Sequence, residues 1–233
     1  MMVEGNETFW YNTFAELLDI LEKEVIKTMV KNIIFDLGNV IIKGTHSSII
    51  KQYAKNKEEK EFIEDIFLKS PEWNLMDTGM ITNDKSIIEI QKRTDKKFYN
   101  LIEVALHEWY KKLQVNEDIV DIAKKLKLQN YRIYVLSNMA EATYLHIKEI
   151  DFFRLCDGIV ISAYEKIKKP DEKIFKILLE RYNLKAEECL FIDDDDTNRS
   201  YITANKLGIL GRKVEPNSEK DIIKLLNEFN IKI

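Results

Sequence analysis

The sequence predicts an α/β protein, a Rossmann-like parallel sheet core with a helical cap inserted after its first strand. Three observations carry that expectation. Short β-branched apolar runs without alternation recur along the chain, as strands covered on both faces require. Segments with helical spacing lie between the later runs, and strand alternating with helix implies parallel pairing through right-handed crossovers. The first connection, from residue 36 to residue 131, is several times longer than an ordinary crossover, so it must hold structure of its own.

In chain order, Phe9, Trp10, Phe14, Leu17, Leu18, Leu21 and Val25 form a helical stripe. Residues 1–28 therefore read as an N-terminal helical extension that covers the sheet or insert, or meets a partner. Asn32-Ile33-Ile34-Phe35 is the first strand. Within the long connection, residues 47–54, 60–68, 84–93 and 98–113 are amphipathic at helical spacing, with turn signals at Ser70-Pro71 and Asp77-Thr78-Gly79. This is the cap, residues 44–114, standing over the carboxyl edge of the sheet. A helix over 116–128 returns the chain to the core. Strands at Arg132-Ile133-Tyr134-Val135-Leu136, Gly158-Ile159-Val160-Ile161 and Cys189-Leu190-Phe191-Ile192 follow, then a weaker one at Ile209-Leu210 leading to Val214. Helices over 141–150, 171–182, 198–207 and 218–229 alternate with them. The core is thus 29–43 together with 115–233.

Composition sets bounds on function. The chain has 233 residues, 45% of them hydrophobic and 33% charged, a soluble globular balance expected to bury on the order of 70% of the unfolded surface. Its 36 basic and 40 acidic side chains give a net charge of −4 without a concentrated basic face, so nucleic acid is not an expected partner. No run of about 18 apolar residues spans a membrane. The acidic start, Met1 to Glu7, lacks the basic and apolar regions of a signal peptide, which makes a cytoplasmic location the expectation. Cys156 and Cys189 sit in apolar runs and read as buried free thiols.

Ligands of a parallel α/β sheet bind at the carboxyl ends of its strands, where connections diverge to opposite faces. There the sequence places Asp36-Leu37-Gly38-Asn39, Ser137-Asn138 and Asp193-Asp194-Asp195-Asp196, with Lys168-Lys169-Pro170-Asp171 ahead of the helix after the third strand. Asp36, Asp193 and Asp194 would share one small volume, where like charges oppose folding unless a cation joins them. Oxygen donors without His or Cys companions suit Mg²⁺. Asp36 could attack phosphorus to form an aspartyl phosphate, with Ser137 and Lys169 holding the phosphoryl oxygens. Lys168 could take the place of Lys169, but the lysine beside Pro170 is the stronger candidate. Asp195, Asp196 and Thr197 read equally well as caps of the next helix.

With these residues in hand, the sequence resembles the haloacid dehalogenase-like hydrolase superfamily over four ordered motifs and roughly residues 29–215. Phe35-Asp36-Leu37-Gly38-Asn39-Val40 is similar to the first motif of the subgroup that contains bacterial sugar-phosphate phosphatases such as α-D-glucose-1-phosphate phosphatase. Val135-Leu136-Ser137-Asn138 resembles the second motif and Lys169-Pro170-Asp171 with Ile174-Phe175 the third. Phe191-Ile192-Asp193-Asp194, followed by Asn198 and Leu207-Gly208-Ile209, resembles the fourth. The resemblance implies Asp36 as nucleophile, and Mg²⁺ held by the Asp36 side chain, the Gly38 carbonyl and Asp194, with Asp193 close by. It implies Ser137, Asn138 and Lys169 as phosphate ligands. The departure is Gly38, where many phosphatases of the superfamily carry a second Asp as general acid and base.

The leading expectation is an Mg²⁺-dependent phosphomonoester hydrolase of a small phosphorylated metabolite, a sugar phosphate being one candidate. A catalytically silent phosphate- or protein-binding module is the alternative that Gly38 keeps open, and hydrolytic dehalogenation is a third. The sequence names no protein partner. Trp73, Asp77, Thr78 and Lys85 are candidates for substrate contacts in the insert, and His46 for a proton donor.

Overall fold

The computed structural model describes residues 30–194 and 199–233. The proposed extension over 1–28, and Asp195, Asp196, Thr197 and Asn198, lie outside the described residues. In chain order the strands are β1 (Asn32–Phe35), β2 (Ile42–Lys43), β3 (Gln114–Val115), β4 (Arg132–Ser137), β5 (Gly158–Ile161), β6 (Cys189–Asp193) and β7 (Leu210–Lys213). Five of them form a parallel sheet in the order β5-β4-β1-β6-β7. After β1 the chain fills one side of the sheet through β4 and β5, then crosses to the other side for β6 and β7. The reversal falls at β1, which is where such sheets open a ligand crevice.

The absence of alternation in β1 now has a physical account. Ile33 and Phe35 enter an apolar cluster with Ile119, Leu126, Ile222 and Leu226 on one face, while Ile34 enters a second with Phe175, Leu178 and Ala204 on the other. At the β5 margin of the sheet the Tyr182 hydroxyl accepts from Ile159 N at 2.9 Å and donates to Ile159 O at 3.1 Å. A side chain on Gly158 would meet the Tyr182 ring at 2.4 Å, so only glycine lets that ring close over the strand.

The long connection is helical and has an apolar cluster of its own, including Phe62, Phe67, Met76, Ile90, Ile102 and Leu106. It leaves and re-enters the core through an antiparallel ribbon in which Ile42 pairs with Val115 and Lys43 with Gln114. The connection departs from the sequence reading in its detail: the segments read as helices over 47–54 and 60–68 are helices over His46–Ile50 and Lys57–Phe62, each continued by a short turn of 3₁₀ or π type. A helix runs over Pro71–Asp77, where only turn signals were read; Pro71 takes its first turn, the one position where a missing N–H does no harm. The segment read as one helix over 98–113 is instead a helix over Tyr99–Glu108 flanked by 3₁₀ turns at Lys96–Phe98 and Trp109–Lys112.

The helical connection meets the strand-bearing part of the chain at the turn that ends the Pro71–Asp77 helix. Ser162 Oγ donates to Asp77 O, Lys166 Nζ donates to Gly79 O at 2.6 Å, and a Cβ on Gly79 would lie 2.1 Å from Ala163 O. Gly79 also has φ of +59°, a conformation that favours glycine. Cys189 is buried and Cys156 half-buried, both free, and burial pushes each thiol up to about 12. Among the described residues no helix is long and apolar enough to cross a membrane.

Candidate active site

Asp36 is the first residue past β1, and its amide still donates to Ile192 O across the sheet at 2.9 Å. The chain then turns back: Val40 N and Ile42 N both donate to Leu37 O, and Asn39 N to Ile42 O. Asn39 holds φ of +52°, which Asn tolerates better than most residues, and its Nδ2 donates to Asp194 Oδ2 at 3.0 Å. The turn after β1 is thereby tied to the end of β6. Sequence reasoning quoted Asn39 within a motif without giving it this task; an Asn following Gly in a tight turn is the signal available for it.

Lys169 is the electrostatic centre. Its side chain is 3% exposed, with Nζ 2.7 Å from Asp193 Oδ2 and 3.0 Å from Asp36 Oδ1. The contact with Asp193 is a hydrogen bond, whereas Asp36 Oδ1 is buried without an aligned donor. Burial alone would pull the Lys169 ammonium down, but Asp193 and Asp36 outweigh it and hold it above its usual value. Burial pushes the Asp36 carboxyl up to about 6, against the opposing pull of Lys169, while Asp193 adds to the rise. Asp194 is also raised, chiefly by burial and less by Asp193, with the Asn39 amide opposing. Oxygens of Asp36, Asp193 and Asp194 lie within 4.8 Å of one another. Oxygens of three carboxylates thus gather beside Lys169, an all-oxygen donor set that fits a hard divalent cation.

Ser137, at the end of β4, is buried and its hydroxyl favours the charged form of Asp36. The Asn138 side chain turns elsewhere: Nδ2 donates to Lys169 O at 2.9 Å and Oδ1 accepts from Lys169 N at 2.8 Å. Asn138 thus braces the backbone that presents Lys169. Lys168 points to the cap, with Nζ 3.5 Å from Asp77 Oδ2. Burial raises the Asp77 carboxyl and Lys168 opposes the rise. Gly38 lines the same cleft, and a Cβ placed on it would have no neighbour within 4 Å.

The cleft, about 690 Å³, has Asp36, Ser137 and Lys169 on its core side and His46, Trp73 and Trp109 on its cap side. Of the cap candidates, Trp73 and Asp77 line it; Thr78 and Lys85 are not among its lining residues. Trp109 was not singled out from the sequence, where its place at the end of an amphipathic segment reads as core. His46 is exposed at the cleft, its ring 4.7 Å from that of Trp73. Its crowded position, and then the charge of Lys168, hold it below its ordinary pKa.

The family model of haloacid dehalogenase-like hydrolases matches residues 30–199. The chain belongs to that family. Among its relatives, the sesquiterpene phosphatase astK of Aspergillus oryzae is 24% identical over 185 residues, 79% of this chain and 89% of that protein. The solved structure of the family enzyme bt-2542 of Bacteroides thetaiotaomicron is 22% identical with a TM-score of 0.62, over 84% of this chain and 98% of that one. A wild-type complex of the same enzyme with magnesium and inorganic phosphate has a TM-score of 0.59 at 23% identity, over 81% and 96% of the two chains. The L-2-haloacid dehalogenase of Xanthobacter autotrophicus has a TM-score of 0.57 at 16% identity, over 87% and 84%. These structural likenesses bear on the fold alone.

Proposed function

We propose that this family member is an Mg²⁺-dependent phosphomonoester hydrolase that works through an aspartyl phosphate on Asp36. The observation that carries the reading is Lys169, buried between Asp36 and Asp193 at the point where the sheet reverses direction. The name of the Aspergillus oryzae relative and the magnesium and phosphate complex of the Bacteroides thetaiotaomicron enzyme support the same reaction class.

In this reading residues 44–114 form the cap over a core of 29–43 and 115–233. Asp36, Asp194 and the Gly38 carbonyl would hold Mg²⁺, with Asp193 fixing Lys169 beside it. The bound ion supplies positive charge that lowers repulsion between carboxylate and phosphate. An Asp36 oxygen forms a bond to phosphorus as the bond to the leaving oxygen breaks, and that oxygen takes a proton from water in the cleft. Lys169 and Ser137 stabilise the charge that gathers on the phosphoryl oxygens. Water then attacks phosphorus as the bond to the Asp36 oxygen breaks, giving a proton to solvent, and inorganic phosphate and the Asp36 carboxylate are released. Asn138 contributes by holding Lys169 in place. The substrate is a small phosphorylated metabolite.

Release of phosphate from p-nitrophenyl phosphate, with Mg²⁺ and with EDTA, in the wild type and in Asp36→Asn, tests the reading. Turnover that needs both Mg²⁺ and Asp36 is expected. Chelator-insensitive turnover, or activity retained in Asp36→Asn, would sink it. Halide release from a 2-haloacid would favour the dehalogenase reading, and phosphate binding without turnover the silent module that Gly38 keeps open.

A further inference from the structure

The cleft is divided in character. Its core side carries the charged groups described above, while its cap side presents rings: His46 lies over Trp73 at 4.7 Å and 30°, and Trp109 meets both at 6.1 and 6.2 Å in edge contacts. The rings are fixed from behind. Trp73 Nε1 donates to Phe67 O at 3.0 Å, so its polar edge is satisfied inside the cap. His46 contributes the face of its imidazole to this wall.

Several polar side chains on that side are already engaged. Thr45 Oγ1 accepts from Ser48 N and pairs with Ser47 Oγ at 2.9 Å, Asn83 Nδ2 donates to Leu106 O at 2.9 Å, and Lys168 is matched by Asp77. A second phosphate would find no unmatched lysine there among the described lining residues of the cap side, and much of the hydrogen-bonding capacity that the hydroxyls of a sugar would need is already taken. An apolar, flat group loses nothing and gains contact with the rings.

Resting on the phosphatase reading above, we infer that the substrate is an amphiphilic phosphomonoester whose leaving group is an uncharged aromatic or unsaturated body seated against His46, Trp73 and Trp109. The phosphate end supplies the chemistry and the ring wall supplies the selection.

Benzyl phosphate and glucose 6-phosphate both carry the phosphate on a primary alcohol, so they differ mainly in the body that must enter the cap side. With Mg²⁺ present, kcat/KM for benzyl phosphate is expected to exceed that for glucose 6-phosphate by about tenfold or more, the scale of one good aromatic contact. Trp109→Ala should reduce that ratio about tenfold, mainly through KM. Glucose 6-phosphate turned over as well as benzyl phosphate by the wild type would overturn the inference, as would a ratio unchanged in a folded Trp109→Ala protein. Acetyl phosphate and p-nitrophenyl phosphate serve as activated references. Hydrolysis of neither would overturn the phosphatase reading, and this inference with it, a result distinct from hydrolysis without apolar preference.

Discussion

Lys169→Met removes one charge while keeping a long apolar side chain, and the structure says where the cost falls. The lost ammonium stands 2.7 Å from Asp193 and 3.0 Å from Asp36 and lies 5.2 Å from the centre of the Phe191 ring. Methionine can still fill that volume, so the penalty is electrostatic. Removing one partner of a buried ion pair typically costs about 3–5 kcal/mol, a large share of a total stability of roughly 5–15 kcal/mol. The sign of the pH dependence follows from Asp36. Its folded pKa of about 6 lies above the ordinary 3.8, so its contribution is present in full below 3.8 and is lost as pH rises through 6. Without the ammonium that carboxyl rises further. The deficit of Lys169→Met should therefore be largest at pH 8 and should shrink towards pH 5, where protonation of Asp36 removes one of the two uncompensated charges. Urea denaturation of both proteins in EDTA measures it: a loss of about 3–5 kcal/mol is expected at pH 8, and a smaller one at pH 5. An equal loss at both pH values, or none at pH 8, would refute charge compensation as the task of Lys169.

Asp194→Asn should weaken Mg²⁺ binding, read by titration calorimetry, and lower turnover on the order of a hundredfold; unchanged Mg²⁺ affinity would remove Asp194 from the metal site. Gly38→Asp should fold, because the added Cβ meets no atom within 4 Å. It should flatten the dependence of kcat/KM on leaving-group pKa, favouring alkyl over aryl phosphates by about tenfold, below the 10²–10⁴ of a well-braced acid; a slope unchanged from the wild type would mean that another group already supplies the proton. Gly79→Ala should cost about 1–3 kcal/mol and loosen cap docking, since the new methyl strikes Ala163 O at a left-handed φ. A melting temperature equal to that of the wild type would show that the turn yields freely.

The strands were legible because a strand buried on both faces has a signature, and Ile33, Ile34 and Phe35 carry it without interruption. Asp36, Asp193, Asp194 and Lys169 were singled out because strand ends in a parallel sheet converge, so their order along the chain suffices to bring them together. What stayed hidden depends on where side chains turn after the fold has formed. Asn138 spends its amide on Lys169, 31 residues away, Lys168 spends its charge on Asp77, 91 away, and Asn39 reaches Asp194, 155 away. No local pattern records such pairings. The ribbon of β2 and β3 was invisible for another reason, since two residues on each side are too few to show any period. The ring wall was hidden because a tryptophan that lines a cleft and one that fills a core look alike in sequence.

Tyr182 bears on the life of the protein outside any reaction. A margin strand offers unpaired amides and carbonyls that another chain can extend, the first step of templated growth into aggregates. At the middle of β5 a single phenol hydroxyl occupies both groups of Ile159, so an incoming strand finds that rung already taken. Tyr182 thereby serves as a stopper, and the bare backbone of Gly158 is what makes room for it.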